Sequence, residues 1–184
     1  MEEPTDTIST LIAAGERRAA VAECARLHGQ SIGRLCMAML GNGPDADEVV
    51  QETLLAAHRG MAAFRGEGTV RAWLFGIARR QCARHLEARR SRGAHLQVVA
   101  EEPHAGPGDD PESAARTSRR ARIVRAALEH LKPSERDALL LRYQADLSFR
   151  EIAAACGIDE AAARKRASRG LNRLRNLLDR EDVE

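Results

Sequence analysis

Aromatic residues are nearly absent from this chain: one Trp, one Tyr and three Phe stand among 184 residues. A core without large rings is built from Ala, Leu, Ile and Val, which suits two small cores better than one large one. Four cysteines (Cys24, Cys36, Cys82, Cys156) occur without a CxxC pair, so the chain fits neither a disulfide framework nor a zinc knuckle, and reduced core thiols are expected. No apolar run approaches the ~18 residues that cross a bilayer. The acidic start MEEPTDTIST has no basic segment ahead of an apolar one, so no secretory signal is expected and the expected location is cytoplasmic. What is abundant is Ala, Leu, Arg and Glu, strong helix formers with little β-branching, and the fold class that follows is all-α.

Charge of either sign is not in excess overall, at 29 basic and 27 acidic residues and a formal +2, but it is segregated along the chain. Residues 59–92 hold nine Arg against Glu67 and Glu87, and residues 164–175 hold Arg164, Lys165, Arg166, Arg169, Arg173 and Arg175 with no acid. Asp45, Asp47, Glu48 and Glu52 precede the first basic block, and Glu101, Glu102, Asp109, Asp110 and Glu112 separate the two. Two basic blocks with a distinct acidic face fit a polyanion-binding protein that docks on a basic partner; the plainer reading of each run is a solvated helix face.

Apolar residues recur at helical spacing from Ile8, Leu11 and Ile12 through Val21, Cys24 and Leu27 to Ile32, Leu35, Met39 and Leu40, and stop at Gly41-Asn42-Gly43-Pro44. A second helix, with its acids in the first turn where they complement the macrodipole, should reach about Met61. Phe64 to Gly68 reads as a short turn. Thr69 then caps a helix whose apolar face is Val70, Trp73, Leu74, Ile77, Ala78 and Cys82, and whose other face carries Arg71, Arg80 and Arg84. From Gly93 to Pro111 the periodicity fails and Pro, Gly and Asp accumulate, as in a flexible acidic linker. The expected division is residues 8–92, a linker at 93–111, and residues 112–180.

In the second half a helical pattern from about Glu112 stops at Lys132-Pro133, and Ser134 is expected to cap the next helix. Ser148-Phe149-Arg150-Glu151 is a capping box that starts a helix of seven or eight residues. A turn at Gly157 follows, Asp159 caps again, and a longer basic helix runs from Glu160 to about Leu178: a helix-turn-helix. At 100° per residue Ala163, Ala167, Gly170, Leu174 and Leu178 face inward, while Ala161, Lys165, Ser168 and Asn172 lie opposite, flanked by Arg164 and Arg169. These outward positions can reach a major groove, Arg and Lys meeting guanine edges and phosphates. If all six basic residues of 164–175 met phosphates, log affinity would fall with log salt at a slope of about -5.

Three segments together resemble an extracytoplasmic-function (ECF) sigma factor of the sigma-70 family: Asp45-Ala-Asp-Glu-Val-Val-Gln-Glu-Thr-Leu54, Phe64-Arg-Gly-Glu-Gly-Thr-Val-Arg-Ala-Trp-Leu-Phe-Gly-Ile-Ala-Arg79, and Leu147-Ser-Phe-Arg-Glu-Ile-Ala-Ala-Ala-Cys-Gly157 with the helix after it. The resemblance covers most of residues 20–178 and implies two helical domains, region 2 and region 4, on either side of the linker. It implies that Asp47, Glu48, Gln51 and Glu52 dock on the clamp helices of the β′ subunit of RNA polymerase core, and that region 4 meets the β flap. It implies that Phe64, Arg65, Gly66 and Glu67 belong to a loop capturing a base flipped from the -10 element, with Arg80 and Arg84 on promoter DNA beside it. Arg142, Phe149, Arg164, Lys165, Ser168 and Arg169 would hold the -35 element, Arg142 through a phosphate.

The sequence departs from the family at two places. Arg80 and Arg84 stand where Asn and Asp are common, so the family's -10 preference does not transfer. Ala162-Ala163 and Ala167 stand where larger side chains are common on the inner face of the recognition helix, each removing roughly 1–2 kcal/mol of burial.

The function implied is a promoter-specificity subunit with no catalysis of its own, no cofactor, and an anti-sigma factor as a further partner. The alternative is a LuxR-type helix-turn-helix regulator with a helical sensor domain. An enzyme is disfavoured because no nucleophile–base pair or ligand set is visible. Glu48 and Glu52 are i,i+4 neighbours without a His to complete a metal site. Cys24 with His28, and Cys82 with His85, read as core neighbours, although a Cys82 among arginines is a candidate for a lowered thiol pKa. Trp73 is in phase with the apolar face and reads as core before base platform.

Overall fold

A computed structural model describes residues 4–64, 66, 68–91 and 111–181. Eight helices and no strand occur among them: α1 (Pro4–Ala13), α2 (Arg17–Leu40), α3 (Gly43–Gly60), α4 (Val70–Ser91), α5 (Pro111–Glu129), α6 (Pro133–Tyr143), α7 (Phe149–Cys156) and α8 (Glu160–Glu181), with a 3-10 turn at Met61–Ala63. The linker expected at 93–111 lies outside the described residues except for Pro111, which opens α5.

The helix boundaries follow local chemistry. The apolar run from Ile8 to Leu40 is two helices, because Gly15 turns left-handed (φ 78°) between them. At the other end Gly41 is left-handed (φ 84°) and its N–H donates to the Met37 carbonyl, closing α2. Asn42 then caps α3, its side-chain oxygen accepting from the Asp45 amide at 2.9 Å. Thr69 Oγ1 accepts from the Ala72 amide at 3.0 Å and starts α4. Ser134 is not a cap: Lys132 occupies that position without a side-chain bond and Pro133 opens α6, its missing N–H costing nothing in the first turn. The Ser148–Glu151 capping box is complete, Gly157 closes α7 at φ 65°, and Asp159 Oδ1 accepts from the Ala162 amide at 2.7 Å to start α8.

Helices α1–α4 pack around Ile8, Ile32, Leu35, Val49, Leu74 and Phe75, all fully buried, each such side chain contributing about 1.5–3 kcal/mol. Helices α6–α8 enclose Leu141, Leu147, Ile152, Ala163 and Ala167. The two sets do not stay apart, since α7 packs on α4 and the buried residues of both form one continuous cluster. Consequently α4, which packs on α2 and α3 and also on α7, is buried beyond its expected apolar face: Val70, Leu74, Ala78 and Cys82 are buried as expected, and Ala72, Phe75 and Gly76 are buried as well. The alanines of α8 are not lost burial. Ala163, Ala167 and Gly170 form a flat strip on which α6 lies so close that a Cβ on Gly170 would meet Leu139 Cδ1 at 3.0 Å and the Glu135 carbonyl at 3.1 Å.

Candidate nucleic-acid and polymerase interfaces

The acidic face is on α3. Val49, Thr53 and Ala57 point inward, and Asp47, Glu48, Gln51 and Glu52 are all exposed on the outer side. Leu55 joins them at 60% exposure. The spacing 48, 51, 52, 55 is one helical stripe, a periodicity by which the sequence reading could have added Leu55 as an apolar contact. Asp45 is drawn away from this face: its Oδ2 accepts from Arg89 Nη1 at 2.7 Å, from Asn42 Nδ2 at 2.9 Å and from His85 Nε2 at 3.2 Å. Burial alone would raise the Asp45 pKa, but Asn42, His85 and Arg89 together hold the carboxyl below its usual range. A His therefore does meet the acidic helix start, with Asp45, Glu48 and His85 within 4.8 Å of one another. The Arg89 guanidinium already occupies Asp45, so Asp45, His85 and Arg89 tie α3 to α4 while Glu48 stays exposed beside them.

The loop before α4 is partly committed to the protein itself. Phe64 packs on Trp73, ring centroids 5.3 Å apart at 50°, and both are partly buried against the core. Gly66 and Gly68 are left-handed (φ 73° and 91°), a conformation that glycine adopts without strain. Arg65 and Glu67 lie outside the described residues. Arg80 and Arg84 on α4 are exposed. Arg71, expected on the same open face, is turned into the second half of the chain: its Nη2 donates to the carbonyls of Ala145 (2.5 Å) and Asp146 (3.2 Å), and its Nη1 lies 3.5 Å from Glu151. Sequence periodicity placed Arg71 correctly on the helix; the covering of that face by α7 was not readable from it.

In the helix-turn-helix the inner and outer faces of α8 fall as the 100° spacing dictates. Ala163, Ala167 and Gly170 are buried, and Ala161, Arg164, Lys165, Ser168, Arg169 and Asn172 are exposed. Their charges are not equally free. Two guanidiniums lie over the Phe149 ring, Arg164 Cζ at 4.8 Å and Arg142 Cζ at 5.6 Å from its centroid. Arg164 also bonds Glu160, and Arg142 donates to the Leu147 carbonyl at 3.0 Å and lies 3.5 Å from Asp146. Arg173 pairs with the buried Glu135 at 3.0 Å. Lys165, Ser168 and Arg169 have no protein partner among the described residues and form the bare centre of the face.

Cys82 has the reverse of the expected chemistry. It is fully buried with its Sγ 3.7 Å from Cys36 Sγ, and that contact, with burial, pushes its thiol far up. His85 points to Asp45 rather than to Cys82, and His28 is half-buried, its pKa lowered by burial and by Arg71.

Residues 24–92 match the family described as Sigma-70 region 2, and residues 121–174 that described as Sigma-70, region 4. The chain is 31% identical over 188 residues to the ECF RNA polymerase sigma factor SigE of Mycolicibacterium smegmatis, spanning all of this chain and 71% of that one. Its fold is similar to that of CnrH in complex with the cytosolic domain of CnrY, with a TM-score of 0.72, 23% identity, and 96% and 98% of the two chains covered. It is similar also to the sigma factor RpoE in complex with the anti-sigma factor NepR from Bartonella quintana, with a TM-score of 0.65, 26% identity, and 84% and 94% covered.

Proposed function

The chain belongs to the ECF RNA polymerase sigma factors of the sigma-70 family, and from that premise we propose that it directs RNA polymerase core to specific promoters and helps open the -10 element. The observation that carries this reading is the coexistence of a bare acidic stripe on α3 and a bare cationic face on α8. One suits a basic protein partner and the other a duplex. The first half matches region 2, which leaves no place for the sensor domain of a LuxR-type regulator. The chain itself supplies no catalysis; polymerase core does.

At residue level, Asp47, Glu48, Gln51 and Glu52, with Leu55 among them, form the surface for the β′ clamp helices. Phe64, Arg65, Gly66 and Glu67 form the base-capture loop, and Arg80 and Arg84 attract the adjoining promoter backbone. Lys165, Ser168 and Arg169 enter the -35 major groove, whereas Phe149 and Arg164 act as a stack that fixes α8 on α7, and Arg142 beside them offers its outer edge to phosphate. The likeness to RpoE bound to NepR supports an anti-sigma factor as a further partner. Among the described residues no helix is long and apolar enough to cross a membrane, and the place of action follows polymerase, in the cytoplasm.

The test is run-off transcription with purified bacterial core polymerase on supercoiled genomic fragments. Discrete start sites that depend on this protein are expected. Their absence, with sequence-selective duplex binding that needs no polymerase, would replace the sigma reading with that of a regulator.

A further inference from the structure

The cations on the outer face of α8 are of two kinds. Lys165 and Arg169 are exposed and have no protein partner among the described residues. Arg164, beside them, is held from two sides. Glu160, one turn earlier on the same helix, accepts from its Nη2, and the Phe149 ring that opens α7 lies with its centroid 4.8 Å from the Arg164 Cζ. Even so, the side chain of Arg164 is 61% exposed and that of Glu160 45%, so the pair stands on the open side of the helix. Arg142, over the same ring, is matched likewise by Asp146 at 3.5 Å.

Glu160 is an acid where a duplex is to bind, and a carboxylate near phosphates opposes binding. As an exposed i,i+4 pair with Arg164 it adds little to stability. What it changes is Arg164 itself: the carboxylate offsets the charge that a phosphate contact uses and restricts the orientation that a base contact needs. A phosphate is met by charge from many directions, whereas guanine O6 and N7 must be met by two N–H groups in one plane. The ring of Phe149 and the carboxylate of Glu160 are two fixed points that limit that plane. Much of the rotamer freedom that an unheld arginine would lose on reading a base is therefore lost already in folding.

We propose that Arg164, positioned by Glu160 and Phe149, reads the edge of a guanine in the -35 element, which makes Glu160 and Phe149 positioning residues that determine specificity. The proposal rests on the -35 reading of α8 above. It divides the work of the helix: Lys165 and Arg169 supply the salt-dependent attraction, and Arg164 supplies discrimination at one base pair. Because Phe149 is the first residue of α7, readout by α8 depends on the helix before the turn as well as on α8 itself.

The test uses the full chain and a labelled duplex carrying the -35 element of a promoter found by run-off, with each base pair replaced in turn. Of the penalties shown by the wild type, Arg164→Ala should abolish the one at a single G·C pair, about 5- to 150-fold, and keep the others. Its salt slope should equal that of the wild type. Glu160→Ala should shrink the same penalty about threefold or more and steepen the slope by about 0.9, because a released guanidinium becomes a phosphate anchor. Glu160→Gln, which still accepts from Arg164, should keep more of the penalty than Glu160→Ala does. In a chain already carrying Arg164→Ala, Glu160→Ala should leave the pattern of discrimination as it is, since Glu160 acts through Arg164. An Arg164→Ala loss spread evenly over the panel, with a slope flattened by about 0.9, would make Arg164 a phosphate contact and overturn the proposal, as would binding that Arg164→Ala leaves unchanged. Discrimination untouched by Glu160→Ala would reduce Glu160 to a solvated helix acid. If the wild type prefers no duplex over any other, the -35 reading of α8 fails instead.

Discussion

The salt dependence of promoter binding separates the charges of α8 that face DNA from those that hold the protein together. Six basic residues lie between 164 and 175, but Arg164 bonds Glu160 and stacks on Phe149, and Arg173 pairs with Glu135. Arg166 is half-buried, in the field of Asp137 and Cys156. Lys165, Arg169 and Arg175 are exposed without a protein partner among the described residues. At about 0.9 per phosphate contact, three free cations give α8 a slope near -2.7 in log affinity against log salt, where six would give about -5.4. Between 50 and 200 mM salt the first loses about 40-fold in affinity and the second about 2,000-fold. Fluorescence anisotropy with a labelled duplex carrying the -35 element, taken from a promoter found by run-off, measures this directly. Other basic residues add to the total, so the decisive quantities are differences: Lys165→Ala, Arg169→Ala and Arg175→Ala should each flatten the slope by about 0.9, and Arg173→Ala should leave it unchanged. An Arg173→Ala change equal to that of Lys165→Ala would mean that the Glu135 pair opens on DNA, and the partition argued from the structure would be wrong.

Four further outcomes are expected. Gly170→Ala gains about 1 kcal/mol of helix propensity but drives a Cβ against the Glu135 carbonyl; overpacking of about 1–3 kcal/mol should win, and a higher urea midpoint would contradict the close α6–α8 packing. Ala161→Glu, exposed in the first turn of α8, should leave folding intact and abolish -35 recognition by repulsion; unchanged promoter use would show that the assigned DNA face is wrong. Burial pushes the Glu151 carboxyl up, but Ser148, Arg71 and Thr69 outweigh it and hold the pKa below its ordinary 4.5. The stabilisation is therefore complete above about pH 4.5 and lost as pH falls through the lowered folded value, and Glu151→Gln should flatten the acid limb of a stability–pH curve. Burial pushes Cys24 up to about 11 and raises Cys156 less, while Cys82 and Cys36 face each other inside. Ellman's reagent at pH 8 should thus label the half-buried Cys156 first and the other three only on unfolding.

Local signals were legible where one residue's own chemistry decides the backbone. Gly41 and Gly157 end helices, Thr69, Asp159 and the Ser148–Glu151 pair start them, and all are adjacent in sequence to the groups they satisfy. Ser134 misled because a hydroxyl beside a helix start reads like a cap, whereas Pro133 had already fixed the first turn one residue earlier. The candidate site was legible in its faces, since 100° per residue sorts α8 and the outer stripe of α3 without any tertiary knowledge. It was not legible in its partners: that Arg164 serves Phe149 and Glu160, or that Phe64 serves Trp73, depends on which rings and carboxylates come within a few ångströms.

The sequence by itself determined the helical class, most of the places where helices start and stop, the segregation of acid from base, and the inward strip of Ala163, Ala167 and Gly170. Each of these is a matter of propensity, capping or period within a few residues. Only the tertiary structure decided which exposed-looking faces are covered. Arg71 and Gly76 sit on α4 as the period predicts, yet α7 lies over them, and Cys82 meets Cys36 in place of the arginines around it in sequence. Contacts between residues some tens of positions apart are chosen by shape and charge complementarity of whole faces, to which a helical period is blind.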